Sequence, residues 1–172
     1  MKNYIVAAAM LSLPLWGAAT QAADKAPEYT TVIMEFPLNV SADEAWKKYW
    51  PFCEVHHQMA RAGMAGHECT IDKGNGTDVG SDRRIGNGNT HEILIGKSKY
   101  SYTYIQSGST TRYHHSDFEV VPAGPNKSKF VRRWFWDRKG TAEADAAFFV
   151  ENVKIFTPVF ALQAQVGEGA NP

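Results

Sequence analysis

Polar and apolar residues alternate along several short segments in the middle of the chain. The clearest is residues 99–121, KYSYTYIQSGSTTRYHHSDFEVV, in which Tyr100, Tyr102 and Tyr104 are separated by Ser101 and Thr103. A period of two sends alternate side chains to opposite faces of an extended strand. The pattern therefore predicts a strand that carries three tyrosine rings on one face.

Similar segments predict an antiparallel sheet of about seven strands. The first covers residues 30–39, where Pro37 favours an edge or strand-end position because proline has no N–H to donate to a neighbouring strand. Short turns rich in Gly and Asn separate the others and are typical of hairpins. These other segments cover residues 67–74, 80–86, 89–96, 98–106, 110–121 and 128–137.

Two short helices are predicted directly after the first strand. Ser41 and Glu44 have the spacing of a capping box, so we expect a helix that begins there and stops at Pro51. A second short helix is expected over residues 52–61, before a turn that contains glycine.

The pattern becomes helical from Thr141 onward and predicts a long C-terminal helix, which Pro158 should kink or split. One apolar stripe of this helix comprises Phe149, Val153, Phe156 and Phe160, and the adjacent stripe comprises Phe148, Ile155, Val159 and Leu162. A long amphipathic helix must cover a sheet. We therefore expect an α+β fold in which a curved antiparallel sheet wraps around the C-terminal helix.

The first 22 residues have the order of a secretory signal peptide: Lys2, an apolar run over residues 4–16, and small residues at the end. We expect cleavage after Ala22 or Ala23, which leaves residues 23–172 as a single domain in the periplasm or outside the cell. An uncleaved membrane anchor is the alternative, although the run is short for a bilayer. We expect no integral membrane segment in the mature chain.

The charge of the chain argues against a nucleic-acid partner. The sequence has 18 basic and 18 acidic residues, and removal of Lys2 with the signal would leave 17 and 18. Such a chain has no basic excess to neutralise phosphate groups.

Cys53 and Cys69 are the cysteines of the sequence. Export would place them where thiols are oxidised, so we expect a Cys53–Cys69 disulfide. Two separate buried thiols, or a metal site with His56, His57 and His67, are the alternatives.

The chain resembles the START-like or SRPBCC helix-grip superfamily, and the resemblance covers essentially all of the mature chain. It is carried by VSADEAWKKYW after the first strand, VGSDRRI, THEIL followed by SYTYIQ, RYHHSDFEVVPAG, and FVRRWFWD before the helix. It is most similar to the bacterial polyketide-cyclase and dehydrase-like branch. These are fold-level patterns, and none is a catalytic signature.

The resemblance implies a deep cavity between the concave sheet and the C-terminal helix, used across the superfamily for lipids, hormones and aromatic molecules. The row of tyrosines, extended by Tyr113, would line it if the rings face inward; ordinary packing across the strands is the alternative. The other residues expected at the ligand are Arg84, Glu92, Arg132, Trp134, Phe149, Val153 and Phe156.

Adjacent arginines occur twice, as Arg83 with Arg84 and as Arg132 with Arg133. One member of each pair should face the concave side, where it can clamp a carboxylate or pair with Glu92 or Glu119. The alternative is that both reach water at a strand end. Bulges shift the phase of a strand, so alternation alone does not identify the inward member.

No metal or cofactor is expected. His114 and His115 are neighbours on a predicted strand and point to opposite faces, and no HExxH or CxxC spacing is present. The segment GNGTDVG lacks the spacing of a dinucleotide-binding loop, and no GxSxG motif occurs.

We therefore expect an exported carrier that holds a hydrophobic or amphipathic small molecule in its cavity. One alternative is a cyclase- or dehydrase-like enzyme that draws its acid and base from Tyr102, Tyr104, His91, Glu92 and His115. Another is an accessory protein that docks on a periplasmic partner enzyme through Trp134 and Trp136.

Overall fold

The computed structural model describes residues 29–86, 90–107, 113–137 and 142–170, and it contains a curved antiparallel sheet and three helices. The predicted signal peptide lies outside the described residues. The strands are β1 (Tyr29–Leu38), β2 (Cys69–Lys73), β3 (Asp82–Ile85), β4 (His91–Lys97), β5 (Ser101–Ser107), β6 (Tyr113–Gly124) and β7 (Lys127–Asp137). The helices are α1 (Ala42–Tyr49), α2 (Glu54–Arg61) and α3 (Ala142–Glu168).

The described strands form one sheet in the order β1-β7-β6-β5-β4-β3-β2. The predicted edge position of the first strand is confirmed, because β1 lies at the end of this order and pairs with β7. Strands that follow one another in the chain from β2 to β7 pair antiparallel, as the sequence predicts. The predicted fold class is confirmed.

Helix α1 begins with the predicted capping box. The Glu44 amide donates to the Ser41 hydroxyl, and the Ser41 amide donates to the Glu44 carboxylate. The helix ends at Tyr49, shortly before Pro51. Helix α2 begins at Glu54 rather than at residue 52, because the Phe52 amide donates to the Gly76 carbonyl and ties this segment to the loop after β2.

Helix α3 is continuous through Pro158, so the predicted split does not occur. Proline removes the hydrogen bond to the carbonyl four residues earlier, which belongs to Lys154. Both residues are exposed, so water can satisfy that carbonyl. Helix α3 packs against β1, β7, α1 and α2. Among the described residues, no helix is both long and apolar enough to cross a membrane.

The predicted disulfide is present and joins Cys53, just before α2, to Cys69 at the start of β2. Their Cα atoms are 5.6 Å apart. The bond removes the free thiolates that the alternative metal site would require.

Candidate ligand-binding site

A partly enclosed cavity of about 280 Å³ lies between the concave face of the sheet and α3, and α2 contributes Val55 and His56 to its wall. Aromatic rings form most of the lining on both sides. They are Tyr102, Tyr104, Phe118, Trp134 and Trp136 from the sheet, and Phe148, Phe156 and Phe160 from α3. Since a cavity of about 150 Å³ holds benzene, this one can enclose a ligand of about two rings.

Two tyrosines of the row point into the molecule, as the period of two requires. Tyr102 and Tyr104 are buried and line the cavity. The Tyr102 hydroxyl has no hydrogen-bond partner among the described residues. Burial raises the pKa of Tyr102 to about 12, against the opposing charges of Arg83 and Arg132, so the phenol is protonated at neutral pH.

Tyr100 is placed differently. It precedes β5, its hydroxyl donates to Asp43 at 2.7 Å, and its ring packs edge-on against Trp46. It does not line the cavity. The expectation for Tyr100 is therefore corrected. Its ring lies on the same side of the sheet as Tyr102, since both contact Trp46, but α1 covers that end of the sheet and separates Tyr100 from the cavity. The side chain of Tyr113 lies outside the described residues.

The arginines confirm the expected alternation, but the expectation for Arg84 is wrong. Arg83 is the inward member and lines the cavity, whereas Arg84 lies on the outer face and pairs with Asp72 at 2.9 Å. The phase follows from the register, which places Arg83 opposite Glu92 on β4. Glu92, as expected, lies on the cavity wall.

Arg83 is held by three groups in the interior. Its Nε and Nη2 atoms donate to Oε2 of Glu92 at 2.8 and 2.5 Å, and Nη1 donates to the Phe52 carbonyl. Its guanidinium also lies 3.7 Å from the centre of the Phe52 ring. Burial alone would lower the pKa of Arg83, but Glu92 and the neighbouring tyrosines outweigh it, so the pKa is raised. Arg83 therefore keeps its charge and has little freedom to move.

Solved structures with the same architecture are known, although no protein-family model and no curated protein matches the sequence. Norcoclaurine synthase from Thalictrum flavum, in complex with dopamine and hydroxybenzaldehyde, aligns with 94% of this chain and 95% of its own, at 18% identity and a TM-score of 0.60. A Thermobifida fusca protein aligns with 80% and 90%, at 17% identity and a TM-score of 0.63. Ara h 8.0201 aligns with 83% and 97%, at 17% identity and a TM-score of 0.58.

The chain has the Bet v 1-like helix-grip fold. Identities this low establish the fold alone, so the chemistry of the site must be derived from this chain's own residues.

The second inward arginine of the helix-grip cavity is Arg132, as expected. It is buried, lies on the wall, and donates to the Tyr104 hydroxyl. Its neighbour Arg133 faces outward and pairs with Glu119 at 2.8 Å. Trp134, also expected at the site, lines the cavity, and both Trp134 and Trp136 are buried within the chain.

Helix α3 presents a different stripe to the cavity from the one the sequence predicts. Phe156 lines the wall as expected, but Phe149 and Val153 pack against the core without lining it. The lining stripe is Phe148, Asn152, Phe156, Val159, Phe160 and Gln163. Ile155, placed in the predicted second stripe, is 61% exposed. The residues of α3 that line the cavity have helical spacing, but two of them, Asn152 and Gln163, have polar amide side chains. A pattern of apolar residues therefore does not identify this stripe.

The cavity wall also includes Gln163, whose contacts leave one atom unpaired. Its Nε2 lies 3.6 Å from the Met59 sulfur, and its buried Oε1 has no hydrogen-bond partner among the described residues. With the Tyr102 hydroxyl, the wall thus offers one acceptor and one donor.

His56 and His67, which the sequence suggests only as ligands of an alternative metal site, lie on the cavity wall. Their Nδ1 atoms are 3.2 Å apart. Burial lowers the pKa of His56 well below its ordinary value of 6.5, and the charge of Arg83 lowers it further. The candidates His91 and His115 lie elsewhere: His91 pairs with Asp82 at 3.1 Å, and His115 stacks on Phe135.

Proposed function

We propose that this protein binds a small, largely aromatic ligand that also carries a polar group. The proposal rests on one observation: the wall combines aromatic rings with a hydroxyl of Tyr102 and an Oε1 of Gln163 that are buried and unpaired among the described residues. Leaving a polar atom in that state costs about 1–3 kcal/mol. A ligand that accepts from Tyr102 and donates to Gln163 would recover this free energy.

The comparisons support the class of ligand. Norcoclaurine synthase, which has the same fold, is known in complex with dopamine and hydroxybenzaldehyde, which are single-ring aromatics with polar groups. The volume of this cavity allows about one ring more.

A finer proposal is that the protein acts as a carrier outside the cytoplasm. Its support is the order of the first 22 residues, which is that of a secretory signal. Mass spectrometry of the protein from the periplasm or medium of its natural host should find an N-terminus at residue 23 or 24. A full-length protein in the cytoplasm would contradict the proposal. Membership of the polyketide-cyclase-like branch and a periplasmic partner stay predictions.

Binding can be tested with 2-naphthol, a two-ring probe with one hydroxyl, in a calorimetric titration. We expect one molecule to bind per chain. Val159→Trp should abolish binding because Val159 lines the cavity, whereas Ile155→Trp should not, because Ile155 is exposed on the same helix. Equal binding to both variants would place the probe outside the cavity and contradict the proposal.

A further inference from the structure

His56 and His67 form a hydrogen-bonded pair that runs from the cavity toward the surface. His56 is on α2 and is buried, and His67 precedes β2 and is partly exposed. Their Nδ1 atoms lie 3.2 Å apart, and the rings are nearly parallel, with centres 5.4 Å apart. An Nδ1 atom can either donate or accept, so the contact requires one proton shared between two nitrogens.

The pairing leaves His56 Nε2 as the ring nitrogen that can meet a ligand. When His56 donates through Nδ1, its Nε2 carries the lone pair and is a base. Tyr102, on the same wall, offers a hydroxyl with no partner among the described residues. A base and a hydrogen-bond donor on one cavity are the two groups that proton abstraction next to a carbonyl requires.

We propose that the His56–His67 pair is a proton relay with which this cavity deprotonates an aromatic carbonyl compound at the carbon next to its carbonyl. In this role His56 is the base, Tyr102 stabilises the oxyanion, and His67 exchanges the proton with water. The inference rests on the proposed function, because the substrate must first bind in the cavity.

The step balances within the pair. The substrate C–H proton moves to His56 Nε2, and the electron pair of that bond shifts through carbon to give an enolate oxygen, which accepts from the Tyr102 hydroxyl. The Nδ1 proton of His56 moves to His67 Nδ1. His67 then releases its Nε2 proton to water, so both imidazoles end neutral with their tautomers reversed. The reverse sequence returns a proton to the enolate.

The positive charges around the cavity favour the neutral form of His56, and they also favour the enolate anion of the substrate. Arg83, Arg132 and His57 act on His56 in addition to burial, and all lower its pKa. Burial also lowers the pKa of His67, against a smaller effect of Glu68 in the opposite direction. Glu92, on the same wall, is engaged by Arg83. His56 is therefore unprotonated at neutral pH, and because the doubly protonated ring is disfavoured, it can take a proton at Nε2 only as its Nδ1 proton moves to His67, 3.2 Å away.

The relay can be tested by hydrogen–deuterium exchange of 2-tetralone, a two-ring ketone with acidic hydrogens next to its carbonyl. The full protein in D2O should exchange them faster than buffer alone. His56→Gln should slow the protein-catalysed exchange about a hundredfold or more, which is typical of a lost general base. Tyr102→Phe should slow it by a similar factor, as for a lost oxyanion donor.

His67 has a positioning and relay role, so its test uses chemical rescue. His67→Ala should slow the exchange, and added imidazole should restore it in this variant but not in His56→Gln. His57→Gln is the matched control: His57 follows His56 on α2, bonds to the Cys69 carbonyl and does not line the cavity. It should exchange 2-tetralone at close to the wild-type rate, because the effect of His57 on the pKa of His56 is smaller than the effects of Arg83 and Arg132.

Calorimetry with 2-tetralone separates the two proposals. Binding without accelerated exchange overturns the relay and leaves the binding function standing. An equal loss in His56→Gln and His57→Gln, with both variants folded by circular dichroism, also overturns the relay. Absence of 2-tetralone and 2-naphthol binding overturns the binding function itself.

Discussion

Two adjacent arginines of β3, Arg83 and Arg84, have opposite environments: one is buried and the other is exposed to solvent. Arg83 is 1% exposed in its side chain and bonds to Glu92, whereas Arg84, the next residue, is 38% exposed and bonds to Asp72. A buried charge depends on its partner far more than an exposed one, because water cannot replace that partner. The two ion pairs therefore form a matched comparison within one strand.

We predict that Glu92→Gln destabilises the protein by about 3–5 kcal/mol, because it leaves the buried Arg83 guanidinium without its counter-charge. Asp72→Asn, which breaks the outer pair, should have little measurable effect. Urea unfolding of both variants at neutral pH checks this difference. Equal midpoints for the two variants would show that the inner pair has no special role.

The alternation of these arginines could be predicted from sequence, but its phase could not. A register shift between Ile71 and Lys73 breaks the simple count along β2, and only the pairing of Arg83 with Glu92 fixes which side faces inward. The histidine pair was hidden for another reason. His56 and His67 lie on different elements, and their contact depends on how α2 and β2 pack, which no local pattern encodes.

At the scale of elements, the order of strands and helices follows closely from the sequence because hydrophobic period, capping and turn residues agree with one another. Helix α3 is where the interpretation went wrong. The stripe facing the cavity includes Asn152 and Gln163, so its spacing is helical but its composition is mixed. A cavity wall can include polar residues that the apolar pattern of a core does not predict, so the sequence favours Phe149 and Val153 over Asn152 and Gln163.

The disulfide fixes α2 to β2 and so supports the wall that carries the histidine pair. We predict that Cys53→Ala lowers the free energy of unfolding by about 3 kcal/mol in the chain-entropy model, since the cross-link spans 16 positions. The double variant with Cys69→Ala should lose little more, because both changes break the same bond. Urea unfolding without reductant measures this. A double variant that loses twice as much would indicate separate packing roles.

The contact between α1 and α3 depends on a glycine. The Tyr49 hydroxyl donates to the Gln163 carbonyl at 2.7 Å, and a Cβ added to Gly167 would overlap that hydroxyl. Alanine normally stabilises a helix relative to glycine by about 0.5–1 kcal/mol. We predict instead that Gly167→Ala destabilises this protein by roughly 1–3 kcal/mol, because its neighbours must shift. Thermal unfolding of the variant shows whether its stability falls or rises. A rise would contradict the close packing of Tyr49 on Gly167.

At the scale of the whole molecule, the sequence predicts a sheet that wraps a helix, but not the volume that remains between them. That volume depends on how the rings of Tyr49, Phe130 and Phe118 pack together at one end of the interior, where Phe118 also forms part of the cavity wall. Their rings pack with centres 4.7–5.6 Å apart, whereas Tyr104 and Trp134 face the cavity. The filled end provides a rigid core, and the open end is where a ligand can add to stability.

A ligand that binds only the folded state must stabilise it by mass action. At a concentration one hundred times its Kd, the gain is about 2.7 kcal/mol, which corresponds to a rise in Tm of roughly 5–10 °C for a chain of this size. We predict this shift for 2-naphthol with the wild-type protein and with Ile155→Trp, and no shift with Val159→Trp. The three thermal transitions must be compared at one ligand concentration, with each protein's own ligand-free Tm as reference. A shift of equal size in Val159→Trp would show that stabilisation arises away from the cavity, because tryptophan at that position occupies the space the ligand needs.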